Sequence, residues 1–191
     1  MKISKRSIGK IVLEFLSVVF AVLLALGLNH WREKRVNQSL AEDSLDRIRA
    51  EMNDNRQEID STILQFAEVI SHLSMQAKAI DSLGVTEISW GYSHPVLSSD
   101  SWTTATITNA VIHMDPDLVE DLADIYAVQE MYSEFGFKFF DRVAELARFR
   151  DEPDILIEIL QSHYNISNSI AQSLQRGYED FLAEHPEMKV E

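Results

Sequence analysis

The chain has 191 residues, with 17 Lys/Arg against 31 Asp/Glu, a formal net charge of −14 and no cysteine. The absence of cysteine excludes disulfides, thiolate metal sites and cysteine nucleophiles. Residues 1–36 carry seven Lys/Arg and two Glu, net +5, while residues 37–191 carry ten against twenty-nine, net −19, so the larger part repels nucleic-acid phosphates and anionic lipid and no nucleic-acid partner is expected.

Ile11 to Leu28, IVLEFLSVVFAVLLALGL, is one apolar run. Lys2, Lys5, Arg6 and Lys10 precede it, and Arg32, Lys34 and Arg35 follow it. A run of about 18 to 20 apolar residues crosses the roughly 30 Å hydrocarbon layer as a helix, and a helix satisfies its own backbone there. The expected division is a basic flank over 1–10 and a transmembrane helix over 11–31, with Trp31 as interfacial anchor. The rival reading is a cleaved signal peptide with Ala25 and Gly27 before the cut; the length of the run and Glu14 within it argue for a retained anchor. Four basic residues before the run and three after it favour a cytoplasmic N-terminus and an exported C-terminal domain.

Glu14 is the most unusual residue of the span. At 100° per residue it shares a face with Ser17, Ala21 and Ala25. Small residues four apart let two membrane helices approach closely, and a carboxyl on that face asks for a polar partner or a proton. These four are therefore the expected packing face. The competing reading has Glu14 near the headgroups, paired with Lys10.

Gln38 to Leu83 contains neither Gly nor Pro. Leu45, Ile48, Met52, Ile59, Ile63, Phe66, Ile70, Leu73, Ala77 and Ile80 recur at helical steps. A helix of that length reaches about 69 Å at 1.5 Å per residue. The stripe is narrow from Leu45 to Ile59 and includes Asn55, like a seam that meets one partner helix with a polar register residue. Leu45, Ile48, Met52, Asn55 and Ile59 are the expected stalk contact, in a membrane-proximal stalk over 32–60. The stripe widens after Ile63, which predicts a bundle over 61–191.

Gly84 ends this helix. Residues 84–100, with Gly91, Pro95 and a Ser/Asp cluster, form the one long irregular stretch, a loop with room for a short strand. Trp90, Tyr92 and Trp102 are the candidate pocket residues here, against the plainer reading of aromatic anchors. Ser99 or Asp100 caps a short helix. Asp115 and Pro116 start a long one, with Asp117, Glu120 and Asp121 at the positive end of its dipole. Phe135, Phe137, Phe139 and Phe140 crowd around Gly136, where that helix is expected to bend or break. Pro153 starts the last helix, whose face carries Ile155, Ile159, Ile166, Ile170, Leu174, Tyr178 and Phe181. The fold class is all-α: one N-terminal transmembrane helix continuing through a helical stalk into an antiparallel helical bundle.

The residues from Leu45 to Asn55, LDRIRAEMNDN, together with Glu14, the small residues after it and Trp31, resemble a widespread family of uncharacterised bacterial proteins with a single N-terminal membrane span. Trp102 in a short helix, Asp115-Pro116-Asp117-Leu118 and Ile125-Tyr126 continue the resemblance. It implies the architecture and a bacterial inner-membrane location, and it supplies no activity.

There is no GxSxG or SxxK frame and no glycine-rich phosphate loop. His113 near Asp115 and Asp117 has the makings of a metal corner, but a helix start accounts for those carboxylates, and the acidic face of Asp117, Glu120, Asp121 and Asp124 reads as solvated surface, against the alternative of a cation or basic-partner site. No catalytic residue, metal ligand or cofactor is assigned, and no enzyme activity is expected. The expected function is contact with other proteins, as a scaffold or accessory subunit of a larger membrane complex or as a homo-oligomer, with membrane lipid around the span. The alternative is a membrane-anchored sensor or ligand-binding module with a pocket near residues 84–114.

Overall fold

The computed structural model describes residues 5–83, 88, 90–91, 94–149 and 151–188, with side chains from Glu14 onward except at 81, 83, 147 and 187. Among these residues all regular structure is helical: α1 Lys5–Leu83, α2 Asp100–Ile107, α3 Pro116–Leu146 and α4 Pro153–Glu184, with single 3₁₀ turns at Ala110–His113, Ala147–Phe149 and Pro186–Met188. The strand allowed for in the 84–100 loop is absent among the described residues.

Helix α1 has 79 residues, which makes it about 120 Å long. Nothing from Leu28 to Leu83 interrupts it, because that stretch has no Gly or Pro. Its first part is apolar and long enough to cross a membrane. No described side chain from Glu14 to Leu28 is buried by the rest of the chain. Burial starts at Ala41 and recurs at Ile48, Met52, Ile59, Phe66 and Leu73.

The other helices start where local chemistry dictates. The Asp115 carboxylate accepts the Asp117 and Leu118 N–H groups at 2.9 and 3.4 Å, capping α3 behind Pro116. Pro153 opens α4 in the same position. Asn109, at φ 58°, takes the left-handed turn between α2 and the Ala110–His113 turn, a conformation Asn tolerates better than most residues.

Side-chain contacts set the levels of these elements along α1. Gln161 of α4 donates to Ser74, Tyr164 packs edge-on against Phe66, and Gln175 donates to Asp60, so α4 runs back down α1. The irregular segment descends too: Gly91 meets Tyr164, Ser98 meets Asn55, and Ser101 meets Glu51. Helix α3 rises from Asp121, beside His185 at the foot of α4, to Gln129 beside Tyr178, and on to Leu146. The described parts of these four segments thus alternate in direction, and the second combines irregular backbone with the short α2 and a 3₁₀ turn. Tyr132, Tyr164, Tyr178, Ile59, Leu73, Leu122, Leu160 and Leu174 are fully buried among them, each large apolar side chain contributing about 2 kcal/mol.

Two expectations change. The stalk expected over 32–60 is packed against the chain's own later segments: Ile48, Met52, Asn55 and Ile59 are buried by them, and His30, Glu33, Lys34, Asn37 and Gln38 share a cleft with His113. Hydropathy understates that face because Glu51 and Asn55, both polar, are buried on it. Helix α3 also runs through Gly136 without a break. The glycine is there for space: a Cβ would collide with the His94 imidazole, which stacks on Tyr132 with centroids 4.4 Å apart. Gly136→Ala is expected to cost about 1–3 kcal/mol through overpacking, read as a lower thermal midpoint of the detergent-solubilised protein. An unchanged midpoint would mean that the ring swings aside freely.

Candidate functional site

Halfway up the domain a polar network crosses the core. Glu51 of α1 accepts three hydrogen bonds: from the Tyr126 hydroxyl at 2.7 Å, the Ser98 hydroxyl at 2.7 Å and the Ser101 N–H at 2.8 Å. Burial alone pushes the Glu51 carboxyl up, but the backbone N–H of Ser101, the Tyr126 and Ser98 hydroxyls and the Trp102 N–H outweigh it and hold the group below its usual range. Ser101 and Trp102 lie in the first turn of α2, so Glu51 caps that helix from another element, where the dipole favours an anion. Burial, with the Glu51 carboxylate beside it, pushes the Tyr126 hydroxyl far up, so it remains a donor.

One turn further along α1, Asn55 holds Ser98 by both backbone groups. Its Oδ1 accepts the Ser98 N–H at 2.9 Å, and its Nδ2 donates to the Ser98 carbonyl at 2.7 Å and to Gln129 Oε1 at 3.1 Å. Gln129 of α3 donates to the same carbonyl at 2.7 Å and accepts the Tyr178 hydroxyl of α4 at 2.6 Å. Every group named is bonded to protein. The arrangement is a clamp that ties the irregular segment and α2 to three helices. The network is buried at Glu51, Asn55, Tyr126, Gln129 and Tyr178 and reaches the surface at Ser98, and a satisfied polar network in a core favours one packing arrangement.

Beside the clamp, a groove of about 590 Å³ opens between residues 96–107 and α3. Val96, Trp102, Ile107, Ala127, Glu130 and Phe137 are among its walls. Trp102 stacks on Tyr126 with centroids 5.4 Å apart and rings nearly parallel. Of the three candidate pocket residues, Trp102 lines this groove, Trp90 is half-buried and is not among its walls, and Tyr92 lies outside the described residues.

A histidine pair lies higher up. His163 of α4 stacks on Phe139, with centroids 3.5 Å apart, and on Phe135, at 5.1 Å. Burial, with His94 nearby, lowers His163 from 6.5 to about 4. Burial also lowers His94, against a hydrogen bond with the Tyr132 backbone.

At the foot of the domain the ligating atoms of Asp121, Glu184 and His185 lie within 4.8 Å of one another, with His185 Nε2 2.8 Å from Asp121 Oδ2. Two carboxylates and an imidazole are a donor set that divalent transition metals accept. Here the imidazole and the Asp121 carboxylate satisfy each other and tie α4 to α3. Of the two carboxylates weighed beside His113 as metal ligands, Asp115 and Asp117, the Asp115 carboxylate is engaged in capping α3.

In the apolar stretch of α1, Glu14, Ser17, Ala21 and Ala25 are all exposed, and the Ser17 hydroxyl donates to the Glu14 carbonyl at 2.8 Å. Along the seam, Ile48, Met52, Asn55 and Ile59 are buried and Leu45 is half-buried. Sequence reasoning missed Glu51, Ser98, Tyr126, Gln129 and Tyr178 as a unit. The available signal was Glu51 and Asn55, two polar residues one turn apart beside Ile48, Met52 and Ile59. The chain matches no protein-family model, no curated protein and no solved structure.

Proposed function

We propose that this is a membrane-anchored, non-enzymatic helical protein that acts through protein–protein contacts, as a scaffold or accessory subunit of a larger membrane complex. The observation that carries this reading is the continuity of α1. One helix exposes an apolar stretch from Glu14 to Leu28 and then, without interruption, buries Ile48 to Leu73 in the core. In this reading the alternating segments are an antiparallel bundle carried directly on the helix that crosses the bilayer. A partner gripping the span along Glu14, Ser17, Ala21 and Ala25 is thereby coupled rigidly to the bundle. The Lys/Arg bias and the resemblance to bacterial single-span proteins support an inner-membrane location with the bundle in the periplasm.

The test is copurification in mild detergent. Ala21→Ile and Ala25→Ile are each expected to release a partner that Val22→Ile retains, because bulk on the small-residue face blocks close helix approach. A C-terminal alkaline phosphatase fusion should be active and a fluorescent protein fusion dark. If both Ile variants copurify like the parent, the span is a plain anchor, and the reverse pair of fusion results moves the bundle to the cytoplasm. The second reading, a ligand-binding module, draws on the groove beside Trp102. A small molecule that raises the melting temperature and loses its effect in a groove variant would favour it.

A further inference from the structure

We infer that the groove between residues 96–107 and α3 is the docking site for a basic amphipathic helix of a partner protein, standing above the membrane. This rests on the scaffold reading and names the chemistry of its partner. The groove exists because the second descending segment is thin. Residues 94–99 form neither helix nor strand, so a single irregular stretch of backbone stands where a helix about 10 Å wide would fill the space, and α2 has only eight residues. The flank of α3 from Ala123 to Phe137 is left open along about 21 Å, or four helical turns. Large apolar side chains rim it in water: Val96 is 70% exposed, Ile107 75% and Phe137 55%. An open apolar trough of that length fits the i, i+4, i+7 anchors of one helix.

Charge specifies which helix. From Ala79 to Phe137 the chain has ten Asp/Glu and no Lys or Arg. Every wall of the groove lies within that stretch. Glu130 stands in the wall itself, and Lys138, the first cation after the gap, is held by Glu134 at 2.7 Å. The patch attracts Lys/Arg beside apolar anchors and repels an acidic helix, including the helices of a second copy of this domain. Height excludes lipid as the occupant. Twenty residues of α1 separate Trp31 from Glu51, which caps α2, so the groove stands about 30 Å above the end of the span.

The experiment uses the full-length protein in phosphatidylcholine nanodiscs. A displayed library of random peptides about four helical turns long is panned against it, with counter-selection on Phe137→Ser discs and on empty discs. Enriched peptides should carry an apolar stripe at helical spacing and a net positive charge. Phe137→Ser and Ile107→Ser should each weaken their binding about tenfold, as loss of a central apolar anchor does, and Glu130→Lys should weaken the most basic peptides most. All three side chains are exposed, and circular dichroism checks that the variants stay folded. Enrichment of neutral or acidic peptides overturns the charge argument. Failure of any peptide to survive counter-selection overturns the docking site. Pairwise association of discs that Ile107→Ser abolishes would make the groove a contact between copies, and also overturns it. Copurification that persists in Phe137→Ser and Ile107→Ser but fails in Ala21→Ile would remove the groove while leaving the scaffold reading intact.

Discussion

Glu51→Ala is expected to destabilise the domain by about 3 kcal/mol, because it strands donors that were chosen for an anion. The Tyr126 hydroxyl is buried and loses its acceptor. The first turn of α2 loses the carboxylate that caps it, and Ser98 loses one of its ties. Damage should concentrate in the irregular segment. Hydrogen exchange over 97–107 should accelerate, while the α1–α4 contact around Phe66 and Tyr164 remains protected. Glu51→Gln keeps the shape but turns one acceptor oxygen into a donor amide, so it should fall between parent and Ala. Tyr126→Phe removes a single donor and should cost about 1 kcal/mol. In the Glu51→Ala background the same change should cost less, because the hydroxyl is already orphaned, and a double-mutant cycle reads that coupling. A Glu51→Ala protein that melts like the parent, with unchanged exchange over 97–107, would show that the clamp does not hold this segment. The groove would then lack a fixed wall.

Elements set by local chemistry were legible in the sequence. A stretch without Gly or Pro at helical period gave α1, Asp115-Pro116 gave the start of α3, and Pro153 gave that of α4. Features that depend on distant partners were not. Glu51 and Tyr126 are 75 residues apart, and Asn55 and Ser98 are 43 apart. No local pattern pairs a buried carboxylate with a hydroxyl on another helix, so the polar positions of the α1 face disguised how much of it is core. Gly136 was visible as an anomaly, but its meaning was not. A glycine amid four phenylalanines signals a break in isolation, and only the His94 ring shows that it marks a close approach. The groove was half legible. The charge gap from Ala79 to Phe137 can be read from the chain, whereas the opening depends on the girth of a segment that returns beside α3.

Acidification should destabilise the domain in two stages, and His163 sets the first. Its ring stacks on Phe139 and Phe135 of α3, with Tyr164 and Ser167 on its own helix and His94 on the irregular segment. Burial lowers it from 6.5 to about 4 in the folded state. Between those values the unfolded chain binds the proton and the folded one does not, so stability is full above pH 6.5 and falls as pH drops toward 4. The lowered value corresponds to about 3 kcal/mol over that window. His94, lowered for the same reason, acts in the same direction. Glu51 follows at lower pH: its carboxyl sits below the ordinary 4.5, so its contribution is present above that value and is lost only as pH falls through the folded one. Thermal melts of the detergent-solubilised protein at constant ionic strength should therefore drop first between pH 6.5 and 4.5. His163→Gln should flatten most of that limb and leave the later one in place. A parent curve level from pH 6.5 to 4.5 would mean that the folded state accepts the proton at His163 without cost. The ring would then have to reach water past Phe139, and the segment carrying His94 would be looser than its stacking on Tyr132 implies.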